Sequence, residues 1–587
     1  MAVEKLIVDH IDTWTTALQT RSTAGRGSSG KIDLYGIKKL RELILELAVR
    51  GKLVPQDPND EPASVLLRGM KQQQEDLIKE KKIKKPKKLP PINEILESIS
   101  IPQGWELCYL NDIGDWGAGA TPNRTNSGYY GGNIPWFKSG ELSEDYITDS
   151  EEHITALALK ECSLRDNQPG DVLIAMYGAT IGKTSILNTR STSNQAVCAC
   201  TPFDGLSNQY LLTFLKASKR VFTSMGAGGA QPNISKEKIV ATQFALPPLK
   251  EQLRIVEKVE QLMSLCDQLE QHSLTSLDAH QQLVETLLTT LTDSQNADEL
   301  AENWARISEH FDTLFTTEAS IDALKQTILQ LAVMGKLVPQ DPNDEPASEL
   351  LKRIAQEKAQ LVKDGKIKKQ KPLPPISSEE KLFELPKGWE WCKLEYIAKN
   401  EENSLKAGPF GSALKKSMYV ENGFKIYGQE QVISGDEDYG DYFINEDKYN
   451  LLISCKVQPK DMLISLVGTI GKVLILSEKC KPGIINPRLV KLSLYDDISR
   501  DYVKYLLSSP LIQKMLFEDS HGSTMNVLNL GLLKKLALPL PPIKEQFEIV
   551  KRIHLLNIII DNLKSHIQSA QQTQLHLADA LTDAAIN

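Results

Sequence analysis

Two nearly identical segments lie 284 residues apart in this sequence. Residues 47–64 read LAVRGKLVPQDPNDEPAS and residues 331–348 read LAVMGKLVPQDPNDEPAS, so that Arg50 and Met334 are the one difference between them. A repeat of this length predicts two copies of one scaffold, because identical segments form the same local structure.

Between the repeated segments the two copies diverge. Both copies enter the divergent block through Gly-Trp-Glu, at 104–106 and 388–390. They leave it through LPPLKEQ at 246–252 and LPPIKEQ at 540–546, now at an offset of 294 residues, so the second block is about ten residues longer. The sequence therefore predicts shared frames that alternate with two variable blocks.

This alternation divides the chain into five segments. We predict an N-terminal helical frame with a flexible lead and a basic linker at 1–100, and a first variable domain at 101–245. A central helical frame at 246–384 follows, then a second variable domain at 385–539 and a C-terminal helical frame at 540–587.

Apolar residues at helical spacing mark the frames. Gly51 and Gly335 follow the first stripe in each copy, at the position where a glycine commonly ends a helix. Residues Thr292–Glu302 are predicted to be an acidic connector between the middle helices. The stripes that precede these glycines are Ile37, Leu40, Ile44, Leu47 and Ile321, Leu324, Ile328, Leu331. The stripes that follow the two exits are Leu249, Leu253, Val256, Val259, Met263, Cys266, Leu269 and Ile543, Phe547, Val550, Ile553, Leu556, Ile560, Leu563, Ile567.

The charge balance excludes a general polycation. The chain has 68 basic and 76 acidic side chains, a net charge of -8, so nucleic-acid binding would need local basic surfaces. Lys79–Lys88 and Lys363–Lys371 are basic runs, either solvated linkers or phosphate contacts. The apolar runs are too short to span a bilayer and no secretion signal is found, which predicts a cytoplasmic protein without a membrane partner.

No catalytic motif is found. Gly178–Lys183 has three residues between its glycines where a phosphate-binding loop has four, and the neighbouring apolar runs predict a strand, a tight turn and a second strand. The chain has no zinc-protease, nucleophile-elbow or amino-methyltransferase motif. The nine histidines show no ligand spacing, and Cys198 with Cys200 is a poor zinc signature. We predict no catalytic residue and no metal site.

The variable blocks are rich in side chains that suit the edges of bases. Arginine and lysine suit guanine, and asparagine and glutamine suit adenine. The candidates in the first block are Asn123, Arg124, Lys138, Ser139, Glu141, Tyr177, Lys183, Asn194, Gln195, Gln231 and Asn233. The candidates in the second block are Lys406, Lys415, Lys416, Tyr427, Gln429, Gln431, Lys472, Arg488 and Asn526.

These motifs together resemble the specificity subunits of type I restriction-modification enzymes, over nearly the whole chain from about Lys31 onward. The resemblance rests on both block entries and exits, on Ile134-Pro135-Trp136 with Ser139-Gly140-Glu141, and on Gln231-Pro232-Asn233-Ile234. The long N-terminal frame and the GKLVPQDPNDEPAS repeat are similar to the type IB subclass.

The second block departs from the pattern of this family. Pro487 stands in the place of Gln195, and Met525-Asn526 answers Pro232-Asn233.

The resemblance implies an α+β fold with pseudo-two-fold symmetry from the tandem duplication. Two α/β target-recognition domains would be separated by long antiparallel helical or coiled-coil frames. Each domain would read one half of an asymmetric bipartite DNA target, while the helices set the spacer and dock methyltransferase subunits.

The resemblance also implies partners and cofactors. The partners would be double-stranded DNA, two modification (methyltransferase) subunits and two restriction subunits that translocate and cleave DNA. S-adenosylmethionine, ATP and Mg would serve those subunits, with no cofactor bound by this chain. The chain would be non-catalytic by itself, but required for the site-specific deoxyribonuclease and adenine-N6 DNA methyltransferase activities of the holoenzyme.

Two alternatives stay open at this point. Each block could carry its own active site, or the chain could be a two-headed adaptor that binds proteins without reading DNA. Activity of the isolated chain would favour the first, and failure to select any DNA sequence would favour the second.

Overall fold

The computed structural model describes residues 3–21, 31–92, 101–226, 232–367, 369, 371–467, 470–518 and 528–586. The chain divides into two compact units, one of Met1–Ser276 with Ser569–Asn587 and one of Leu277–Gln568. Each unit combines a helical frame with a lobe of strands and short helices, as the alternation of frames and blocks predicts.

The frame of the first unit is built on one amphipathic helix, α3. Its predicted stripe of Ile37, Leu40, Ile44 and Leu47 is confirmed, since all four side chains are at most 3% exposed. Gly51 follows the helix with a φ of +65°, as the sequence predicts for a C-terminal cap. The elements are α1 (Val3–Asp9), α2 (Ile11–Thr16), β1 (Gln19–Arg21), β2 (Lys31–Asp33), α3 (Tyr35–Val49) and α4 (Ala63–Lys79).

The described strands of the first lobe form three sheets. The strands are β3 (Glu106–Tyr109), β4 (Gly114–Ala118), β5 (Tyr130–Phe137), β6 (Tyr146–Ile147), β7 (His153–Ile154), β8 (Val172–Ala175), β9 (Thr184–Leu187), β10 (Thr192–Ser193), β11 (Val197–Pro202) and β12 (Gln243–Leu246). The helices are α5 (Ala156–Glu161), α6 (Asn208–Ala217), α7 (Lys219–Gly226) and α8 (Lys236–Val240). The sheets have the orders β4-β11-β8-β9-β6, β10-β5-β7 and β12-β3. Pairing of β3 with β12 joins the entry of the block to its exit, and antiparallel β8 and β9 confirm the predicted strand-turn-strand.

Helix α9 (Leu249–Asp293) begins directly after the first lobe, and its buried stripe is shifted from the predicted one. Leu249 and Leu253 are 39% and 53% exposed, so their assignment to the stripe is wrong. Val256, Val259 and Cys266 are buried as predicted.

Two polar residues of the exit motif explain this shift. Glu251 and Gln252 are 1% and 0% exposed, so they take the inward positions of the first turn of α9. Gln252 Oε1 accepts a hydrogen bond from Ser207 N at 2.8 Å, and Gln252 Nε2 donates to Gly205 O at 3.2 Å. Because buried amides must find partners, these bonds fix the direction in which α9 leaves the lobe.

The second unit repeats the frame with α10 (Ala297–Glu309), α11 (Phe311–Leu314), α12 (Glu318–Val333) and α13 (Ala347–Lys363). The predicted stripe of α12 is buried, and Gly335 has a φ of +69°, so both predictions are confirmed. The prediction that Thr292–Glu302 is an acidic connector is mostly wrong, because α9 ends at Asp293 and α10 begins at Ala297. Asn296 Oδ1 accepts from Glu299 N at 2.9 Å and so caps α10.

The second lobe has the same plan as the first. Its strands are β13 (Glu390–Lys393), β14 (Leu405–Ala407), β15 (Phe424–Tyr427), β16 (Phe443–Ile444), β17 (Met462–Ser465), β18 (Val473–Ile475), β19 (Gly483–Ile485), β20 (Leu489–Leu492) and β21 (Ala537–Leu540). Its helices are α14 (Gln429–Ser434), α15 (Glu446–Leu451), α16 (Arg500–Ser508), α17 (Pro510–Glu518) and α18 (Leu530–Lys535). The sheet orders β14-β20-β17-β18, β16-β15-β19 and β13-β21 match those of the first lobe strand by strand, except that no strand equivalent to β6 is assigned among the described residues.

Helix α19 (Ile543–Ile586) follows the second lobe and contributes to both units. In the second unit, Lys564 Nζ lies 3.1 Å from Asp322 Oδ1 on α12. In the first unit, Lys39 Nζ on α3 lies 2.8 Å from Asp579 Oδ1 near the end of α19. The first unit thus holds the start of α9 and the end of α19, and the second unit holds the end of α9 and the start of α19.

The structure also extends the duplication toward the N-terminus. His10 O accepts from Trp14 N at 3.1 Å, and His310 O accepts from Leu314 N at 3.0 Å, within the segments HIDTWTT and HFDTLFTT. The offset here is 300 residues, because the first frame has a β1–β2 hairpin between this segment and α3. This interruption hid the match from the sequence analysis.

Among the described residues, no helix is long and apolar enough to cross a bilayer. Within the same residues, no group of three or more His, Cys, Asp or Glu side chains is placed to hold a metal ion. Cys198 and Cys200 are free thiols buried in β11, and burial raises the pKa of Cys198 to about 12.

Candidate nucleic-acid interface

Four loops of the first lobe contact one another and carry most of the predicted candidates. We call residues 119–124, 138–141, 177–183 and 194–196 the first loop cluster. The bonds that join these loops to each other and to the adjoining strands run from Ala120 N to Ser193 O (3.0 Å), Asn194 N to Phe137 O (2.9 Å), Met176 N to Ala196 O (2.8 Å) and Lys183 Nζ to Gly140 O (3.4 Å).

Glu141 closes one of these loops. Its carboxylate accepts from Lys138 N at 2.6 Å, from Ser150 Oγ at 2.8 Å and from Glu151 N at 2.9 Å. These three local bonds occupy both carboxylate oxygens, so the structure gives Glu141 the role of shaping the turn that presents Lys138 and Ser139.

Arg124 and Lys138 share one acidic partner. Arg124 Nη1 lies 2.9 Å from Glu152 Oε2, and Lys138 Nζ lies 3.0 Å from Glu152 Oε1. The Arg124 guanidinium also lies 4.8 Å from the ring centre of Tyr130 and 5.0 Å from that of Trp136. Cation–π contact orients the guanidinium while leaving the side chain 53% exposed.

Glu152 partly neutralises these two cations. The Lys138 ammonium, through a hydrogen bond, and then Arg124 lower the pKa of Glu152 below its usual value, against the opposing effect of burial. Because Glu152 is itself one-third exposed, water screens the pair, and phosphate oxygens can compete for the same N–H donors.

The candidate amides of the first loop cluster are hydrogen-bonded locally through their oxygens. Asn194 Oδ1 accepts from Ala196 N at 3.0 Å, and Asn123 Oδ1 accepts from Thr125 N at 3.1 Å. Gln195 is exposed, and its Oε1 accepts a hydrogen bond from the Thr121 hydroxyl. Thr121 was not among the predicted candidates, because a single threonine in a loop carries no sequence signal.

Tyr177, Lys183 and Asn233 lie around the turn between β8 and β9. Tyr177 is 42% exposed and forms an antiparallel backbone bridge with Asn233, which is exposed. Lys183 is half-buried and directly precedes β9. Gln231 lies outside the described residues.

The second lobe has equivalent loops, which we call the second loop cluster: residues 408–413, 428–431, 470–472 and 486–488. Three backbone bonds and one side-chain bond of this cluster have counterparts in the first lobe, the first and the last of them in Gly119 N to Val197 O and in Lys138 N to Glu141 Oε2. They run from Gly408 N to Leu489 O (3.0 Å), Asn486 N to Tyr427 O (2.8 Å), Leu466 N to Arg488 O (2.9 Å) and Gly428 N to Gln431 Oε1 (2.7 Å).

Three predicted candidates of the second lobe are buried in the structure, not exposed. Tyr427 is 0% exposed and donates its hydroxyl to Lys481 O at 2.8 Å, and burial raises its pKa well above the usual value. Gln431 is 0% exposed and takes the place of Glu141, accepting from Gly428 N and donating to Tyr439 O. Gln429 is 9% exposed and is bound to Ser465 and Arg488. Alternating apolar and polar residues near β15 gave no sign of which side chains point inward.

The remaining candidates of the second lobe are cations. Arg488, Lys472, Lys415 and Lys416 are exposed, and Lys406 on β14 is half-buried. Arg488 donates to Gln429 Oε1 at 3.2 Å, which orients its guanidinium.

Asn526 lies outside the described residues, and its alignment with Asn233 changes. Leu528 N donates to Leu466 O at 3.0 Å, as Ile234 N donates to Met176 O at 2.9 Å. Ile234 and Leu528 are 294 residues apart, the same offset as between the two exit motifs. In the sequence numbering, Val527 and not Asn526 therefore corresponds to Asn233.

Each loop cluster thus presents cations on a scaffold that the other cluster repeats, and the first cluster also presents the exposed amide of Gln195. The model of the type I restriction modification DNA specificity domain matches residues 102–279 and 386–572 of the chain. The chain belongs to this family. Both matches begin just before a block entry and extend into the long helix that follows the lobe.

Two curated relatives are similar over their full length. The chain is 48% identical over 606 aligned positions to the type I restriction enzyme EcoAI specificity subunit of Escherichia coli, covering 100% of both chains. It is 45% identical over 614 positions to the EcoEI specificity subunit of Escherichia coli, again covering 100% of both. A solved chain, from work on complex assembly and conformational transition of the type I R-M system, is 17% identical with a TM-score of 0.42, covering 86% of this chain and 99% of that one.

Proposed function

We propose that this specificity subunit reads an asymmetric two-part DNA target, one half with each lobe. The observation that carries the proposal is the paired loop clusters, which share backbone bonds but differ in exposed side chains. Equivalent scaffolds suit equivalent tasks, and different side chains suit different base pairs.

Charge and hydrogen bonding support DNA as the ligand of the clusters. Arg124, Lys138 and Lys183 in the first lobe, and Lys472 and Arg488 in the second, are cations within these clusters. Such groups position a protein on phosphates or meet guanine, and the exposed amide of Gln195 suits adenine. DNA as ligand also implies that the protein works in the cytoplasm.

We propose that the long helices fix the spacer between the half-sites and dock the modification subunits. Helices α9 and α19 each run without interruption from the residues of one unit into those of the other. An insertion of one helical turn beside Gln281 in α9 is expected to lengthen or abolish the permitted spacer. An unaltered spacer would contradict this part of the proposal.

The chain by itself is proposed to be non-catalytic. It would act with two modification subunits, which would bring S-adenosylmethionine and methylate an adenine in each half-site, and with two restriction subunits, which would use ATP and Mg. The expected result for the purified chain alone is neither methylation nor cleavage of DNA. Methylation or cleavage of DNA in the absence of the partner subunits would contradict the proposal.

Selection from random duplex DNA tests the proposed function directly. The chain, co-expressed with its modification subunits, is incubated with the DNA pool, and the bound fraction is sequenced. We expect two different conserved half-sites at one fixed separation. Enrichment of no sequence would instead support a protein-binding adaptor.

A further inference from the structure

One loop in each cluster carries a different side chain at the same backbone position. Thr121 in the first lobe and Phe410 in the second each follow a glycine by two residues. Those glycines, Gly119 and Gly408, donate equivalent hydrogen bonds to Val197 O at 2.9 Å and to Leu489 O at 3.0 Å. Thr121 and Phe410 are therefore structural equivalents.

A second pair of equivalent positions also has a polar residue in the first lobe and an apolar residue in the second. Gln195 and Pro487 follow the equivalent asparagines Asn194 and Asn486, each of which accepts a hydrogen bond from the backbone N–H two residues later. Proline is compatible with this turn because the bonds that hold it use the residues on either side. Gln195 and Pro487 are both exposed.

The two positions are adjacent in space. In the first lobe, the Thr121 hydroxyl donates to the Gln195 amide oxygen. In the second lobe, a Cβ added to Gly408 would lie 3.0 Å from Pro487 N, so the loop that carries Phe410 passes directly beside the proline.

The first lobe thus presents a polar pair and the second an apolar pair. Phe410 is 79% exposed, the highest fraction of any large hydrophobic side chain that the structure describes. Exposing a phenyl ring to water is unfavourable, and folding of the lobe gives no compensating contact. An exposed phenyl ring at this position is suited to an apolar contact with a bound ligand.

We propose that Phe410, together with Pro487, determines specificity in the second half-site by contacting the C5 methyl group of a thymine. This inference rests on the proposed function and names the group that the second lobe reads. The thymine methyl is the apolar group that base pairs present in the major groove, and Phe is one of the side chains that contacts it. Thr121 and Gln195 instead read their base pair by hydrogen bonds.

Removal of the thymine methyl group from the DNA, combined with a substitution of Phe410 in the protein, tests the proposal. Each thymine of the selected target is replaced in turn by deoxyuridine, and binding to the full chain with its modification subunits is measured. At one thymine of the second half-site we expect an affinity loss of about fourfold, the effect of one methyl group. With Phe410→Thr, which installs the residue of the first lobe and leaves one methyl group in place of the ring, the same replacement is expected to have a smaller effect.

A second variant and a control complete the test. Pro487→Gln is expected to reduce the deoxyuridine effect at the same position, and replacements in the first half-site are expected to be independent of Phe410. Because Phe410 is exposed, its variant should melt at the temperature of the wild type, which separates the result from misfolding.

Three outcomes would overturn the inference or its basis. If no thymine shows a loss that depends on Phe410, the methyl contact is wrong while the two-part target stands. If Phe410→Thr weakens thymine and deoxyuridine DNA equally, the ring packs on DNA by another route, such as a wedge between base steps, and the inference is again wrong. If the wild type selects no sequence, the proposed function itself fails.

Discussion

Trp389 donates its indole N–H to Glu545 Oε2 at 2.9 Å in the core of the second unit. The bond joins the Gly-Trp-Glu entry of the lobe to its LPPIKEQ exit, so two motifs 156 residues apart form one anchor between lobe and α19. Glu545 Oε1 also accepts from Gln340 Nε2 at 3.1 Å. Trp105 and Glu251 occupy the equivalent positions of the first unit.

Removing the acceptor of this anchor should destabilise the second unit. Glu545→Ala leaves the buried indole N–H of Trp389 without its acceptor, and we expect a loss of about 1–3 kcal/mol in the free energy of unfolding. The measurement is a urea titration. Glu548→Ala, in the same helix, is the control, because its side chain is 63% exposed beside Lys551 and should change stability by under about 0.5 kcal/mol. Equal losses of stability in Glu545→Ala and Glu548→Ala would contradict the anchoring role of Glu545.

The same carboxyl predicts a pH dependence. Burial raises the pKa of Glu545 above its usual value of 4.5, so the folded state holds the proton more tightly than the unfolded state does. The stability of the wild type relative to Glu545→Gln should therefore rise as the pH falls from 7 through the folded pKa toward 4.5. A stability difference that stays constant over this range would contradict the predicted shift.

Gly51 should not tolerate a side chain. Its φ is +65°, and an added Cβ would lie 2.4 Å from Pro102 Cγ and 3.0 Å from Trp105 Cζ2. We expect Gly51→Ala to lower the free energy of unfolding by at least about 1–2 kcal/mol. Gly69→Ala is the matched control, since that helical glycine has open space around it and alanine should add up to about 1 kcal/mol.

The cations beside Glu152 should control the salt dependence of DNA binding. Arg124→Ala and Lys138→Ala are each expected to reduce the slope of log affinity against log salt by about 1, whereas Glu152→Gln should steepen it. The slope is measured by titrating DNA at several salt concentrations. Arg190→Ala is the control, because two hydrogen bonds of 2.8 Å already bind that guanidinium to Asp166. An unchanged slope in both variants would exclude phosphate contact here.

The second lobe has a buried ion pair that the first lobe lacks. Lys491 Nζ lies 3.8 Å from Asp461 Oδ2, with both side chains at most 5% exposed, and Ala199 stands at the position of Lys491 in the first lobe. Asp461→Asn should destabilise the chain by about 3–5 kcal/mol in a urea titration, because it leaves a buried ammonium unpaired. Asp171→Asn, the equivalent change without a facing lysine, should cost less. A smaller loss of stability for Asp461→Asn than for Asp171→Asn would contradict the pairing of Asp461 with Lys491.

The repeat made the architecture predictable, but not the orientation of individual side chains. The stripe from Ile37 to Leu47 and the cap at Gly51 follow from local periodicity and were found. Leu253 was misplaced because Glu251 and Gln252 form tertiary hydrogen bonds that periodicity does not contain. Candidates such as Tyr427 and Gln431 are polar residues whose partners come from distant loops, so sequence alone could not separate them from exposed residues such as Arg488.

Exchange of a single lobe tests the central claim most directly. Residues Glu106–Phe244 are replaced by the corresponding block of a relative, and the DNA sites methylated in cells by the reconstituted complex are mapped. We expect one half-site to change to that of the relative, while the other half-site and the spacer stay the same. A change in both half-sites, or in neither, would contradict independent reading by two lobes.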